Sequence, residues 1–155
     1  MIFVRTIFEI PNIMMKKYKW HDKVVLLVED DPSSLLLLQT ILSHTGAKLL
    51  VAEDGETAIE LVRENNDIDM VLMDIRLTGI SGLQATERIK KIAPDITVIA
   101  QTACAVLGDM DMCLRAGCNA YITKPLHTDT LLETMDYYFK RAVAQDILDS
   151  VYFSN

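Results

Sequence analysis

Five short apolar runs, each followed by a stretch patterned for a helix, constrain this chain more than any other feature of it. The runs are VVLLV (24–28), KLLVA (48–52), MVLM (70–73), ITVIAQT (96–102) and NAYIT (119–123). A continuous β-branched and leucine run such as the first suits a strand buried on both faces. Helix signals fill the gaps. Asp31 can cap a helix whose first turn holds Pro32, where a missing N–H costs nothing; that helix runs to about His44 and stops at Thr45-Gly46. Over 54–65, Ala58, Leu61 and Val62 share one face. Ser81 to Ile92 carries Leu83, Thr86 and Ile89 at helical spacing, continued by Ala93 and closed by Pro94. A shorter helix spans Val106 to Arg115, closed by Ala116-Gly117. Leu131, Leu132, Met135, Tyr138 and Phe139 form the stripe of a last helix, which the tail from Arg141 extends before fraying. Alternation of this kind implies an α/β fold: a five-stranded parallel sheet, covered by helices on both faces and joined by right-handed crossovers.

The flanks are less ordered in pattern, and 155 residues fit one domain with some excess at the ends. We expect a leader over 1–22, a domain over 23–140 and a helical extension or tail over 141–155. Within the leader, Ile2, Val4, Ile7 and Ile10 with Phe3 and Phe8 read as one strand that Pro11 ends. The following NIMMKKYKWHD reads as a connector. Net charge is −7, and no basic cluster exceeds the Lys16–Lys19 run, so direct nucleic-acid binding is not expected. Cys104, Cys113 and Cys118 are odd in number and lack CxxC spacing, which argues against a disulfide framework and a zinc site. No run approaches the roughly 20 apolar residues of a membrane span, and the N-terminus lacks the parts of a signal peptide. A cytoplasmic setting follows, with any membrane anchor belonging to a parent protein.

In parallel α/β sheets, ligands bind at the carboxyl ends of the strands, near the point where strand order reverses. The residues at those ends are therefore the ones to inspect. Glu29, Asp30 and Asp31 follow the first run, Asp74 the third, Thr102 ends the fourth and Lys124-Pro125 follows the fifth. Singly, each has an ordinary reading as a turn former, a cap or a solvated charge. Jointly, they bring acids, a hydroxyl and an amine to one edge. That set suits phosphoryl transfer to a carboxylate, a known covalent route to aspartyl phosphate. Oxygen-rich sites with few protein ligands favour Mg²⁺, with Mn²⁺ as an alternative. A metal on Asp30 and Asp74 would offset their mutual repulsion and let Asp74 attack phosphorus. Lys124 and Thr102 would hold the phosphoryl oxygens.

VVLLVEDDPSS, VLMDIRLTGISG, VIAQTACA and AYITKPL resemble the four signature blocks of the receiver domain of two-component response regulators, in order, over about residues 23–140. The resemblance implies a flavodoxin-like doubly wound (βα)5 fold with strand order 2-1-3-4-5. It makes Asp74 the phosphoacceptor, and Glu29 and Asp30 the acidic pair, with Asp30 the more direct metal ligand. The backbone carbonyl of Arg76 would complete the protein's metal ligands. Thr102 would be the switch hydroxyl, Tyr121 the switch aromatic and Lys124 the phosphate-contacting lysine, with a cis Lys124–Pro125 bond. Asp31 falls at a variable position and keeps a capping role. Arg76 and Cys104 occupy positions that tune dephosphorylation in the family. Many receivers carry a proline soon after the acceptor where this chain has Leu77-Thr78, so loop 75–80 is expected to be more mobile.

The resemblance also implies partners. The donor would be a histidine kinase or a histidine phosphotransfer domain, since His21, His44 and His127 sit in no phosphotransfer context. Output would pass through the fourth helix, fifth strand and fifth helix, by protein contact or as a homodimer. ATERIKK and LRAGCNAYITKPL are similar to receivers fused to sensor kinases, and RTIFEIPNI to the final strand of a histidine-kinase ATPase domain. The chain then reads as the C-terminal receiver of a hybrid kinase. Two other functions use this architecture. A haloacid-dehalogenase-type phosphatase needs a second acid two residues after the first, where Arg76 stands. A flavodoxin-like cofactor binder would place three acids against a flavin phosphate.

Overall fold

The computed structural model describes residues 18–103 and 107–152. Its strands are β1 (Val24–Val28), β2 (Lys48–Ala52), β3 (Met70–Asp74), β4 (Thr97–Thr102) and β5 (Ala120–Thr123). Its helices are α1 (Pro32–Ser43), α2 (Gly55–Glu64), α3 (Gly82–Ile92), α4 (Leu107–Ala116) and α5 (Thr128–Tyr152). The strands are all parallel, as expected from the alternation, and lie in the order β2-β1-β3-β4-β5, the doubly wound topology that the family resemblance implies. All residues of β1, β3 and β4 are buried, as their unbroken apolar runs require.

Each face of the sheet carries its own core. On one, Leu26, Val28, Val71, Met73, Val98 and Ala100 meet Ala58, Ile59 and Val62 of α2, Ala85 and Ile89 of α3, and Cys113 of α4. On the other, Val25, Leu27, Met70, Leu72, Ile99 and Ile122 meet Leu38, Ile41 and Leu42 of α1 and Leu131, Leu132, Met135 and Phe139 of α5. The helices start where capping residues stand. Asp31 accepts from Ser34 N–H at 2.7 Å, Asp54 from Thr57 N–H at 2.7 Å, and Ser81 with Gln84 closes a capping box. The caps hold the Asp31 and Asp54 carboxyls below the ordinary carboxylate value, because their oxygens accept backbone N–H bonds in the charged form.

One segment differs from expectation. Tyr18 and Trp20, in the segment read as a connector, are buried on the α5 side. Trp20 meets Phe139 edge-on at a centroid distance of 5.0 Å, and its backbone N–H donates to Thr45 O at 2.7 Å. The last helix continues past Arg141, as the sequence suggests, and runs 25 residues to Tyr152. From Lys140 to Val151 it is exposed, Val143, Ile147, Leu148 and Val151 included. The strand read into residues 2–10 and the role read for Cys104 lie outside the described residues. Among the described residues no helix is long and apolar enough to cross a membrane.

Candidate phosphoacceptor site

The strand order reverses between β1 and β3, whose neighbours diverge to β2 on one side and β4 on the other. The carboxyl ends of these two central strands carry the acids. β3 is one residue longer than its apolar run and includes Asp74, in register with Gln101 of β4. Strand alternation sets Asp74 on the side of Met70 and Leu72, facing α1 and α5. Gly82 fixes the approach of α3 behind it. A Cβ there would collide with the backbone carbonyl of Asp74, so only glycine permits this packing.

Glu29 and Asp74 are nearly inaccessible, at 1% and 5% exposure, and both reach the Lys124 ammonium. Lys124 Nζ donates to Glu29 Oε2 at 2.8 Å and to Asp74 Oδ2 at 3.0 Å. Burial alone would pull the lysine's pKa down, but its hydrogen bonds to the two carboxylates and their charge outweigh burial, so the net displacement is upward. Glu29 moves in the protonating direction. Its burial outweighs the bonds from Lys124 and from Asp31 N–H, and the nearby Asp74 charge adds to it. Asp74 Oδ1 accepts from Arg76 N–H at 2.9 Å.

Asp30 completes the group. One carboxylate oxygen each from Glu29, Asp30 and Asp74 lie within 4.8 Å of one another. Lys124 supplies one positive charge against three acids, so the cluster keeps a deficit that a hard cation suits. Oxygen donors alone, with an open side, are the donor set Mg²⁺ or Mn²⁺ takes.

Thr102 is buried at the end of β4, and its carbonyl accepts from Lys124 N–H at 2.7 Å. Tyr121 is half-buried in β5, packed against the core on the α3–α4 side. The Lys124–Pro125 peptide is cis, as the family resemblance implies. The structure thus joins Glu29 and Asp74 through Lys124, sets an oxygen of Asp30 within 4.8 Å of oxygens of both acids, and places Thr102 one hydrogen bond from Lys124. Asp31 stays outside the cluster as a cap, and the Arg76 side chain is exposed.

Two polar residues went unnoticed in the sequence. Thr78 donates to Asp30 Oδ2 through both its N–H and its hydroxyl, each at 2.9 Å. Loop 75–80, expected to be loose for want of a proline, is therefore tied to the acid edge. Gln101 is fully buried beside Asp74, and its amide nitrogen and oxygen have no hydrogen-bond partner among the described residues. A single amide inside the apolar run ITVIAQT was the signal for the second; the first had none, because its partner lies 48 residues away.

A twisted parallel sheet with acids and one lysine at its reversal point defines a receiver. Residues 25–136 match the model of the response regulator receiver domain, and the chain belongs to that family of two-component signalling proteins. It is 36% identical over 118 residues to the polar-differentiation response regulator DivK of Brucella ovis, covering 75% of this chain and 95% of that one. It is 33% identical over 116 residues to the sensor histidine kinase GacS of Pseudomonas protegens, covering 72% of this chain but 12% of that protein. Among solved structures, the receiver domain of a sensor histidine kinase from Pseudomonas aeruginosa superposes with a TM-score of 0.69 at 31% identity. The match covers 75% of this chain and 96% of that one, which holds a magnesium ion in its active-site cleft.

Proposed function

We propose that this chain accepts a phosphoryl group on Asp74 from a phosphohistidine of a histidine kinase or histidine phosphotransfer domain. The carrying observation is the shared ammonium. Lys124 bridges Glu29 and Asp74 at 2.8 and 3.0 Å, which sets one counter-charge between two buried acids where an incoming phosphoryl group would arrive. A carboxylate oxygen of Asp74 attacks phosphorus as the P–N bond breaks, and the imidazole nitrogen keeps the electron pair. The product is an acyl phosphate. Lys124 passes from its carboxylates to the phosphoryl oxygens, and the Thr102 hydroxyl donates to them.

Glu29, Asp30, Asp74 and the Arg76 carbonyl would hold Mg²⁺ or Mn²⁺; when bound, that ion neutralises the acids and the incoming phosphoryl charge. The oxygen-only donor set of this cluster and the magnesium in the P. aeruginosa receiver support this reading. Movement of Thr102, followed by Tyr121, would then repack the α4–β5–α5 face, by which the domain contacts its target or a second copy.

The domain itself would span 23–140, between a leader (1–22) and an extension (141–155), without contacting nucleic acid or membrane. The likeness to a 12% portion of GacS supports a place as the receiver of a cytoplasmic or membrane-anchored hybrid kinase. Profiling against the kinases and phosphotransfer domains of the source genome tests the reading. At least one phosphohistidine donor should label the chain, hydroxylamine should release the label, and Asp74→Asn should take up none. Equal transfer to Asp74→Asn would reassign the acceptor.

A further inference from the structure

Asp30 is the one acid of the cluster that Lys124 does not reach: among the described residues no ion pair involves it. Its neighbours Glu29 and Asp74 are like charges within 4.8 Å, and it is itself only partly buried. A short, partly exposed carboxylate in that position is driven by repulsion to swing toward water. What opposes the swing is Thr78. Its backbone N–H and its hydroxyl both donate to Asp30 Oδ2, at 2.9 Å each, in two charge-assisted bonds on one oxygen.

The loop is built for this reach. Gly79 turns it with φ +88°, a conformation that side-chain-bearing residues avoid. Gly82 N–H closes it onto Ile75 O at 3.0 Å. Arg76 lies inside the same closed loop, its N–H anchored on Asp74 Oδ1 at 2.9 Å. The Thr78 bonds therefore tie together the two parts of the site that no β-ladder joins: the acid after β1 and the loop after β3. They engage Oδ2 and leave Asp30 Oδ1 without a hydrogen bond among the described residues, open to a cation.

We infer that Thr78 is a positioning residue for the divalent-cation site, pinning Asp30 and loop 75–80 in the metal-binding arrangement before the ion arrives. The inference rests on the cation site proposed above and adds a residue that does not touch the ion. A proline in its place would lack both donors, so the exchange of proline for threonine in this loop replaces a stiff turn by a two-point hydrogen-bonded clamp.

Isothermal titration of the full chain with MgCl₂, without phosphodonor, tests it. Partners of this indirect kind typically govern metal affinity about 10- to 100-fold. Thr78→Pro, which removes both donors, is expected to weaken Mg²⁺ binding about ten-fold, at the lower end of that range. Thr78→Val, which removes only the hydroxyl and so one hydrogen bond, should weaken it by about three-fold. Thr78→Ser, which keeps both donors, should bind as the wild type does. Circular dichroism of each variant separates lost affinity from lost folding, and the Val and Ser pair carries the test if the proline variant fails to fold. Wild-type or tighter binding by Thr78→Val and Thr78→Pro would overturn the clamp while leaving the cation site standing. Absence of Mg²⁺ binding by the wild type would remove the site and the clamp together.

Discussion

The carboxyl edge of β1 and β3 and the α4–β5–α5 face lie on one sheet but are built on opposite principles. At the edge, Glu29 and Asp74 are almost wholly buried, and Lys124, Arg76 N–H, Asp31 N–H and Thr78 hold the acids at 2.8 to 3.1 Å. At the face, Met112, Leu114 and Tyr137 are 49–59% exposed. Leu114, Ala120, Tyr121 and Tyr137 line a shallow groove of about 540 Å³ there. Buried charge is tolerated only where its partners are over-determined, which makes the edge stiff. Side chains with few buried contacts rearrange cheaply, which makes the face responsive. On the proposed function, the chemistry would be pre-set and the readout left adjustable. Thr102 and Lys124, joined by the hydrogen bond from Lys124 N–H to Thr102 O, stand between the two.

The largest effect should come from removing the charge that holds the edge. Lys124→Met leaves two buried acids facing each other without a counter-charge. Its phosphorylation rate should fall about 100-fold, read by intact mass against time. Its stability should fall by about 2 kcal/mol in urea, less than for a fully buried pair because the lysine is a quarter exposed. The sign with pH follows from the raised lysine pKa. Its contribution is fully present below the ordinary value of 10.5 and is lost as pH rises through the higher folded value. Alkaline titration of stability should therefore show a loss in wild type that Lys124→Met lacks.

Glu29→Gln should act in the opposite direction. Because the folded state raises the pKa of Glu29 above 4.5, the native protein bears a cost for ionising it that is absent at low pH and grows as pH rises. The amide removes that cost, so Tm should rise by about 2–4 °C near neutral pH, and the gain should vanish below the ordinary carboxylate range. Mg²⁺ affinity should fall in the same variant. A gain in Tm independent of pH would show that packing, not charge, is the cause.

Leu114→Ser should do least. It changes stability by within about 0.5 kcal/mol and leaves phosphorylation and Mg²⁺ affinity at wild-type levels. A loss of phosphorylation in this variant would break the separation between edge and face.

Most of the edge was legible in the sequence because strand ends in a parallel sheet share one side by topology. Once the runs at 24–28, 70–73, 96–102 and 119–123 are strands, Glu29, Asp74, Thr102 and Lys124 must meet. Helix starts were legible for local reasons, as Asp31 and Ser81 cap within their own turn. What escaped depends on distant partners. Trp20 is buried only because Phe139 arrives beside it, and Thr78 acts only because Asp30 faces it. The extension of α5 past Arg141 was legible for a local reason too. RAVAQDILDSVY contains no glycine or proline to stop a helix, and the Gln145–Asp149 bond spans one turn of it.

Asp74 is the proposed acceptor, and its carboxylate is the group to test first. Incubation of the full chain with Mg²⁺ and a small phosphodonor, followed by intact mass, addresses it directly. Wild type should gain a single phosphoryl group and Asp74→Asn should gain none. A phosphoryl adduct on Asp74→Asn at the wild-type yield would contradict it.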